Sequence, residues 1–443
     1  MSDIATHDKN VKKELLEYQG NILILANAGS GKTTFLTEKL KSDSKKLDNY
    51  QKLAAITFTR NATEEIKQKL VDIPDNVVVS TIDSFLDKEI ILPFINQKYE
   101  IQTSVQFSFR IEHKFSHYSI GIRQILQDGI FGTYDFPTSQ QGKNFKCEVA
   151  LDILKTIDSA SEYIKYKFNT LYIDEFQDCD QSMNDLFLYL KNELGIYLFI
   201  VGDDKQSIYQ WRGASPKYIN NLWKNKNDFR KERFIGNFRS LPRIVDFSLA
   251  LTPKVIIDNI REEGSILYLE PNQDYLKEDV IKYLIDNGDI NLQEENYFLI
   301  GNNKDIEETV TNLNDIFLNK FDCVRKNPFI ECTNSIFLEC IAKYYFLDDF
   351  SEYDVLNNLF PEYNDEFRKE LLKKLNRLRQ QPTQSLIEEI ASYLDVLITN
   401  YEDKLESQIL LEILSNLDNK KLFDTNLMSN NLIMTTHGSK GLA

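Results

Sequence analysis

The chain has 443 residues, 42% of them hydrophobic, and carries 52 Lys+Arg against 68 Asp+Glu for a formal net charge of −16. That length holds about three domains of ~150 residues, and the composition excludes a wholly disordered chain. Residues 1–250 balance 33 basic against 33 acidic side chains, whereas residues 251–443 set 19 against 35, so any nucleic-acid contact must rest on local chemistry rather than net charge.

The start, Met1 to Gly20, is polar and charged and reads as neither a secretory signal nor a transit peptide. No apolar run approaches the ~18 residues of a membrane span, so the expected location is the cytoplasm, without a membrane partner. Asn21–Leu25 (NILIL) predicts a short buried strand, followed by a Gly-rich turn and a helical pattern to Leu40. Ala54–Phe58 and Val77–Val79 predict further strands. Residues 87–168 are mostly helical in pattern. Leu171–Ile173 and Tyr197–Val201 resume the apolar runs, each ending at acids or a Gly-Asp turn. From about residue 251 a second alternation begins, with Asn296–Ile300 and Asn431–Thr435 as strands. It is interrupted by a helical stretch, 330–425, in which Phe367–Arg379 and Gln408–Leu417 are amphipathic. Strands alternating with helices predict an α/β fold with parallel sheets and two mainly helical insertions. The cysteines at 147, 179, 323, 332 and 340 form no CxxC pair and read as reduced, mostly buried thiols.

Ala26, Asn27, Ala28, Gly29, Ser30, Gly31, Lys32, Thr33 and Thr34 fit a phosphate-binding P-loop between a strand and a helix. The glycines let backbone N–H groups turn toward phosphate oxygens, and the helix N-terminus adds positive potential. Lys32 suits the β/γ-phosphates, and the Thr33 hydroxyl suits Mg²⁺. Asn27 stands where many such loops carry glycine, and asparagine tolerates left-handed geometry. Asp174 and Glu175 end an apolar strand. Asp174 suits Mg²⁺ through water, and Glu175 suits the base that orients the attacking water. Asp180 and Asp185 read as a solvated helical face.

With ANAGSGKTT (26–34), TFTRNAT (57–63), STIDSF (80–85), IDEFQD (173–178), VGDDKQSIYQWRGA (201–214), NFR (237–239) and TTHGSKGL (435–442) in order, the chain resembles UvrD/Rep-type superfamily 1 helicases. The resemblance implies tandem RecA-like domains with ATP between them and single-stranded DNA across their top. The first would comprise 1–86 and 169–250 with insertion 87–168. The second, incomplete, would comprise 251–329 and 426–443 with insertion 330–425. It also implies Gln206 as a γ-phosphate sensor and Arg239 as an arginine finger from the second domain. Trp211 and Phe58 match base-contacting positions, and aromatic faces stack on unpaired bases at ~1–3 kcal/mol each. Tyr209, Arg60, Ser84, Arg212 and His437 complete the DNA candidates. Core packing is the alternative for Tyr209, Trp211 and Phe58, and least suits Trp211 beside Arg212-Gly213.

FGTYDFP (131–137) and NFKCEVALDILK (144–155) resemble the helicase-like subunits of Gabija anti-phage systems. That resemblance implies a nuclease partner of the OLD/Toprim type. A housekeeping repair helicase, and a DNA-end sensor that hydrolyses nucleotide without translocating, are the alternative readings.

Three departures stand out. The family's adenine-reading Gln has no clear counterpart, with Glu14 near its place, so other nucleoside triphosphates are expected as substrates. Asp83 replaces a common His and suits helix capping instead. The chain stops at HGSKGLA where relatives continue, which reads as a truncation that impairs hydrolysis by ~10³-fold or more.

Overall fold

The computed structural model describes residues 2–47, 50–99, 108–134, 144–207, 213–226, 228–251, 266–267, 277–323, 328–329, 332, 334–348, 350–359, 364–396, 398, 400–401, 404–424 and 429–435. They fall into two compact units, Met1–Tyr268 and Leu269–Ala443.

The strands of the first unit are β1 (Ile22–Ala26), β2 (Lys52–Thr57), β3 (Val77–Thr81), β4 (Ser108–Phe115), β5 (Ile130–Tyr134), β6 (Phe168–Ile173), β7 (Tyr197–Gly202) and β8 (Arg230–Phe234). Six form one parallel sheet in the order β3-β2-β6-β7-β1-β8. Every residue of β1 is buried. The alternation of side chains along each strand sorts the apolar residues onto two faces. Leu23, Leu25, Ala54, Ile56, Leu171 and Ile173 enter one core. Ile22, Ile24, Leu53, Ala55, Tyr172 and Phe199 enter the other, beneath α1 (Ser2–Glu17), α2 (Lys32–Ser44) and α3 (Arg60–Leu70). A sheet covered on both faces needs continuous apolar strands, which is why NILIL-type runs were legible.

The stretch 87–168 is expected to be mostly helical, and its described residues add a short strand pair to the helices. Among the described residues it holds four α-helices, a π-helical turn at Asp87–Ile91, and a β4–β5 ladder. Ile90, Ile95, Phe131 and Phe145 belong to the same core as one face of the sheet, so this stretch is packed onto the sheet rather than separately cored.

In the second unit, Asn296–Ile300, Phe321–Cys323 and Asn431–Thr435 form a three-stranded parallel sheet with Asn431–Thr435 in the middle. Its small core holds Ile281, Leu313, Phe321 and Ile433. The helices Ser335–Phe346, Glu352–Leu359, Asp365–Gln380, Gln384–Tyr393 and Glu406–Leu414 surround a separate core, to which Leu371, Leu375 and Leu378 contribute at helical spacing. All five cysteines are buried. No helix among the described residues is long and apolar enough to cross a membrane.

Candidate nucleotide site

In a parallel sheet every strand delivers its C-terminal end to one edge, where ligands of such folds bind. Here β6, β7, β1 and β8 are consecutive neighbours, so the residues after them meet on that edge. After β1 comes the Gly-rich loop. Gly29 has φ 68° and Gly31 φ 79°, left-handed values that favour glycine. Asn27 is not left-handed. Instead its N–H donates to Phe234 O at 3.1 Å and its side-chain amide donates to Ile235 O at 3.3 Å. Ala26 is buried, Ala28 and Thr34 are exposed, and Gly31 caps α2.

Lys32 is buried, with Nζ 3.6 Å from Glu175 Oε2. Thr33 Oγ1 donates to Asp174 Oδ2 at 3.0 Å, which joins the two residues expected at Mg²⁺. Burial, and then the adjoining Glu175 charge, push the Asp174 carboxyl above the ordinary carboxylate range, while Lys32 and Thr33 oppose the shift. Glu175 itself sits at φ 54°, an uncommon backbone for a residue with a Cβ. Its N–H donates to Asp174 Oδ1 at 2.9 Å.

Gln206, the expected sensor, is half-buried in the turn after β7, its N–H donating to Asp203 O at 3.0 Å. Asp203 Oδ1 accepts from Lys205 N at 3.1 Å. Burial raises the Asp203 carboxyl, against the pull of that N–H and of Lys32.

Arg239 requires a correction: it lies in the same compact unit as the loop, not in the second one. A Cβ on Gly29 would lie 2.5 Å from Asn237 Oδ1 and 3.0 Å from Arg239 Cβ. Phe238 N donates to Gly29 O at 2.8 Å. Asn237 Oδ1 accepts from Arg239 N at 3.0 Å and Ser240 N at 2.9 Å, which shapes the turn that carries the exposed Arg239. Sequence reading missed two supports on α1. Buried Asp8 accepts from Gly236 N at 2.9 Å, and Lys12 Nζ donates to Ser30 O at 3.0 Å. Their four-residue spacing puts both on one helix face, but only the fold brings that face to the loop. Burial lowers the Lys12 pKa. Glu14 pairs with Arg230 at 2.6 Å.

The residues expected at DNA are less fully described. Phe58 is half-buried and packs on the apolar core. Thr57, Thr59 and Thr63 of the same motif knot the turn into α3: Thr57 Oγ1 lies 2.7 Å from Thr63 Oγ1, and Thr59 caps the helix. The short helix Ile82–Leu86 is capped by Thr81, whose hydroxyl accepts from Ser84 N at 3.3 Å. The capping role expected of Asp83 is therefore Thr81's, and Asp83 is exposed in the first turn. Arg60 begins α3, but its side chain, and all of Tyr209, Trp211, Arg212 and His437, lie outside the described residues. Asp180 is another correction. It is buried and caps the helix Gln181–Asn192, while Asp185 is exposed as expected.

The residues fit a bound triphosphate and its cation. Two left-handed glycines shape a cradle, and Ser30 Oγ is buried inside it without a hydrogen-bond partner among the described residues. Thr33 and Asp174 present two oxygens side by side.

The family described as the UvrD/REP helicase N-terminal domain matches residues 7–140 and 143–227. The Gabija protein GajB of Bacillus cereus (strain VD045) is 32% identical over 436 residues, covering 97% of this chain and 87% of that protein. The ATP-dependent DNA helicase Rep of Buchnera aphidicola subsp. Acyrthosiphon pisum (strain APS) is 28% identical over 276 residues, 51% of this chain and 42% of its own length. The ATP-dependent DNA helicase PcrA of Bacillus subtilis (strain 168) is 27% identical over 301 residues, 57% of this chain and 40% of its own length. The chain thus spans less than half of the Rep and PcrA lengths. A crystal structure of Pif1 helicase from Candida albicans aligns over 55% of this chain and 41% of its own, at 17% identity and a TM-score of 0.28, too low to bear on the fold. Ordered motifs, a parallel sheet in the first unit that brings the Gly-rich loop, the Asp174–Glu175 pair and the turns after β7 and β8 to one edge, and a GajB relative matched along most of its length make this chain a member of the UvrD/Rep-type superfamily 1 helicase family.

Proposed function

We propose that the chain is a DNA-dependent nucleoside triphosphatase that acts as a DNA helicase or translocase in the cytoplasm. The observation that carries this is the cluster of Lys32, Thr33, Asp174 and Glu175 at one strand edge, within 3.6 Å of one another in linked pairs. Lys32 and the loop N–H groups bind the β/γ-phosphates. Thr33 and Asp174 hold Mg²⁺, which when bound neutralises phosphate charge. Glu175 takes a proton from, or orients, the attacking water. Gln206 senses the γ-phosphate, and Arg239 neutralises charge on the transferred group from the loop beside Gly29. Phe58, Tyr209 and Trp211 stack bases, while Arg60, Ser84, Arg212 and His437 meet phosphates or bases. ATP is the expected substrate, with other triphosphates admitted because the family's adenine-reading Gln has no clear counterpart in the sequence. The likeness to GajB supports a role in anti-phage defence with a nuclease partner of the OLD/Toprim type.

The test is nucleotide hydrolysis with and without single-stranded DNA or DNA ends, for the wild type and Lys32→Ala. Hydrolysis stimulated by DNA and reduced at least ~10³-fold in Lys32→Ala is expected. Turnover that survives in Lys32→Ala assigns the activity elsewhere. Strand displacement separates a motor from a sensor that only hydrolyses, and co-purification with a co-expressed OLD/Toprim-type nuclease checks the partner.

A further inference from the structure

Gln177 is fully buried, yet it is a polar side chain in the middle of the site. Its two ends are both used. The amide Nε2 donates to Glu175 Oε2, and the amide oxygen accepts from Asp203 N at 2.9 Å. The fit leaves no slack: a Cβ on Gly202 would lie 2.6 Å from Gln177 Oε1 and 3.2 Å from Phe176 N. One amide therefore spans from the carboxylate after β6 to the turn after β7.

Both ends meet groups that need holding. Glu175 has a left-handed backbone, a conformation that persists only where its surroundings over-determine it. Gln177 and the Asp174 carboxylate supply that determination, one gripping the Glu175 side chain and the other its N–H. On the far side, Asp203 O accepts from Gln206 N and Asp203 Oδ1 accepts from Lys205 N, so the whole Asp203–Gln206 turn hangs from the residue that Gln177 grips. From Gln206 the chain runs on to Tyr209 and Trp211. An amide is the one side chain of this length that donates at one end and accepts at the other. A Glu here would repel Glu175, and an apolar residue would strand the Asp203 N–H.

We propose that Gln177 is a positioning residue that ties the aim of the Glu175 carboxylate to the position of the Asp203–Gln206 turn, so that movement of that turn on DNA binding is transmitted to water activation. This rests on the triphosphatase reading above. It adds the connection by which DNA engagement reaches the base.

The test compares steady-state hydrolysis, with and without single-stranded DNA, for the full chain and for Gln177→Met and Gln177→Glu, with Tm and the Kd of a non-hydrolysable ATP analogue measured alongside. Gln177→Met matches the volume and removes both hydrogen bonds. It is expected to lower the DNA-stimulated kcat by at least tenfold, to bring the DNA stimulation ratio toward one, and to leave KM and the analogue Kd within about twofold. Gln177→Glu keeps the acceptor for Asp203 N–H and loses the donor for Glu175. It should lose kcat to a similar degree, again without losing analogue affinity. A Gln177→Met protein with wild-type kcat and stimulation ratio overturns the relay. So does a loss of analogue binding in step with turnover in both variants, because that assigns Gln177 to the fold alone. A wild type that hydrolyses nothing in response to DNA, both as this chain and extended past Ala443 where the gene encodes more, sinks the triphosphatase reading, and the relay with it.

Discussion

Asp180 carries its chemistry in one atom. Its Oδ1 accepts from Met183 N at 2.9 Å at the start of the helix Gln181–Asn192, in a buried position. Burial pushes its pKa up to about 7, against the pull of the Met183 and Ser182 N–H groups. With the folded pKa above the unfolded value, the folded state keeps a proton that the unfolded chain releases. The stability from this group is full below about pH 4 and is lost as pH rises toward 7. Asp180→Asn keeps a capping oxygen without the charge. Its Tm relative to wild type should therefore be more favourable at pH 8 than at pH 5, and equal differences at the two pH values would refute the assignment. In the sequence the helical character around Asp180 was legible, and the residue read as part of a solvated face. Its burial was not legible, because the neighbours that cover it arrive from elsewhere in the chain. Gln177 shows the same limit. The motif IDEFQD displays it, but nothing in that motif says that the amide reaches Asp203, 26 residues further on. Lys32, Thr33, Asp174 and Glu175 were legible because their loop and strand-end context is local.

At the scale of elements, strands buried on both faces announced themselves, and β8 did not. Its sequence, RKERF, has one buried residue and forms the outer edge of the sheet beside β1. Charged side chains on an edge strand block pairing with another chain, so the feature that hides β8 from an apolar pattern is the one its position asks for. The entry to β1 depends on Asn21. Its Oδ1 accepts from Leu198 N at 2.9 Å, its Nδ2 donates to Asp228 Oδ2 at 2.7 Å, and its carbonyl accepts from Arg230 N at 2.9 Å. One side chain thus closes the N-terminal ends of β7 and β8 around β1. Asn21→Ala leaves a buried Leu198 N–H without its acceptor and is expected to lose about 1–3 kcal/mol in urea unfolding. Asp228→Ala removes the more exposed partner and should lose less than about 1 kcal/mol. Equal losses would mean that the Leu198 N–H bond contributes nothing particular.

Across the whole molecule, charge and cores divide along the chain. The acidic surplus lies in residues 251–443, and each of the two compact units has cores of its own. A chain with net charge −16 must hold DNA through local phosphate contacts and stacked bases, so a modest, salt-sensitive affinity is expected. In anisotropy titrations on single-stranded DNA, Arg212→Ala should reduce the slope of log K against log salt by about 0.7. Trp211→Ala should weaken binding by about 1–3 kcal/mol with no change in slope. The opposite pairing of effects would exchange their roles. Glu175 links the site back to global stability. At φ 54° it occupies backbone space that asparagine enters more readily than glutamate. Glu175→Asn should therefore raise Tm while abolishing turnover, and a lowered Tm would show that the Gln177 and Lys32 contacts outweigh the backbone strain. The carboxylate that the chemistry calls for thus sits on a backbone that a different residue would occupy at lower cost, so stability and function make opposite demands at this one position.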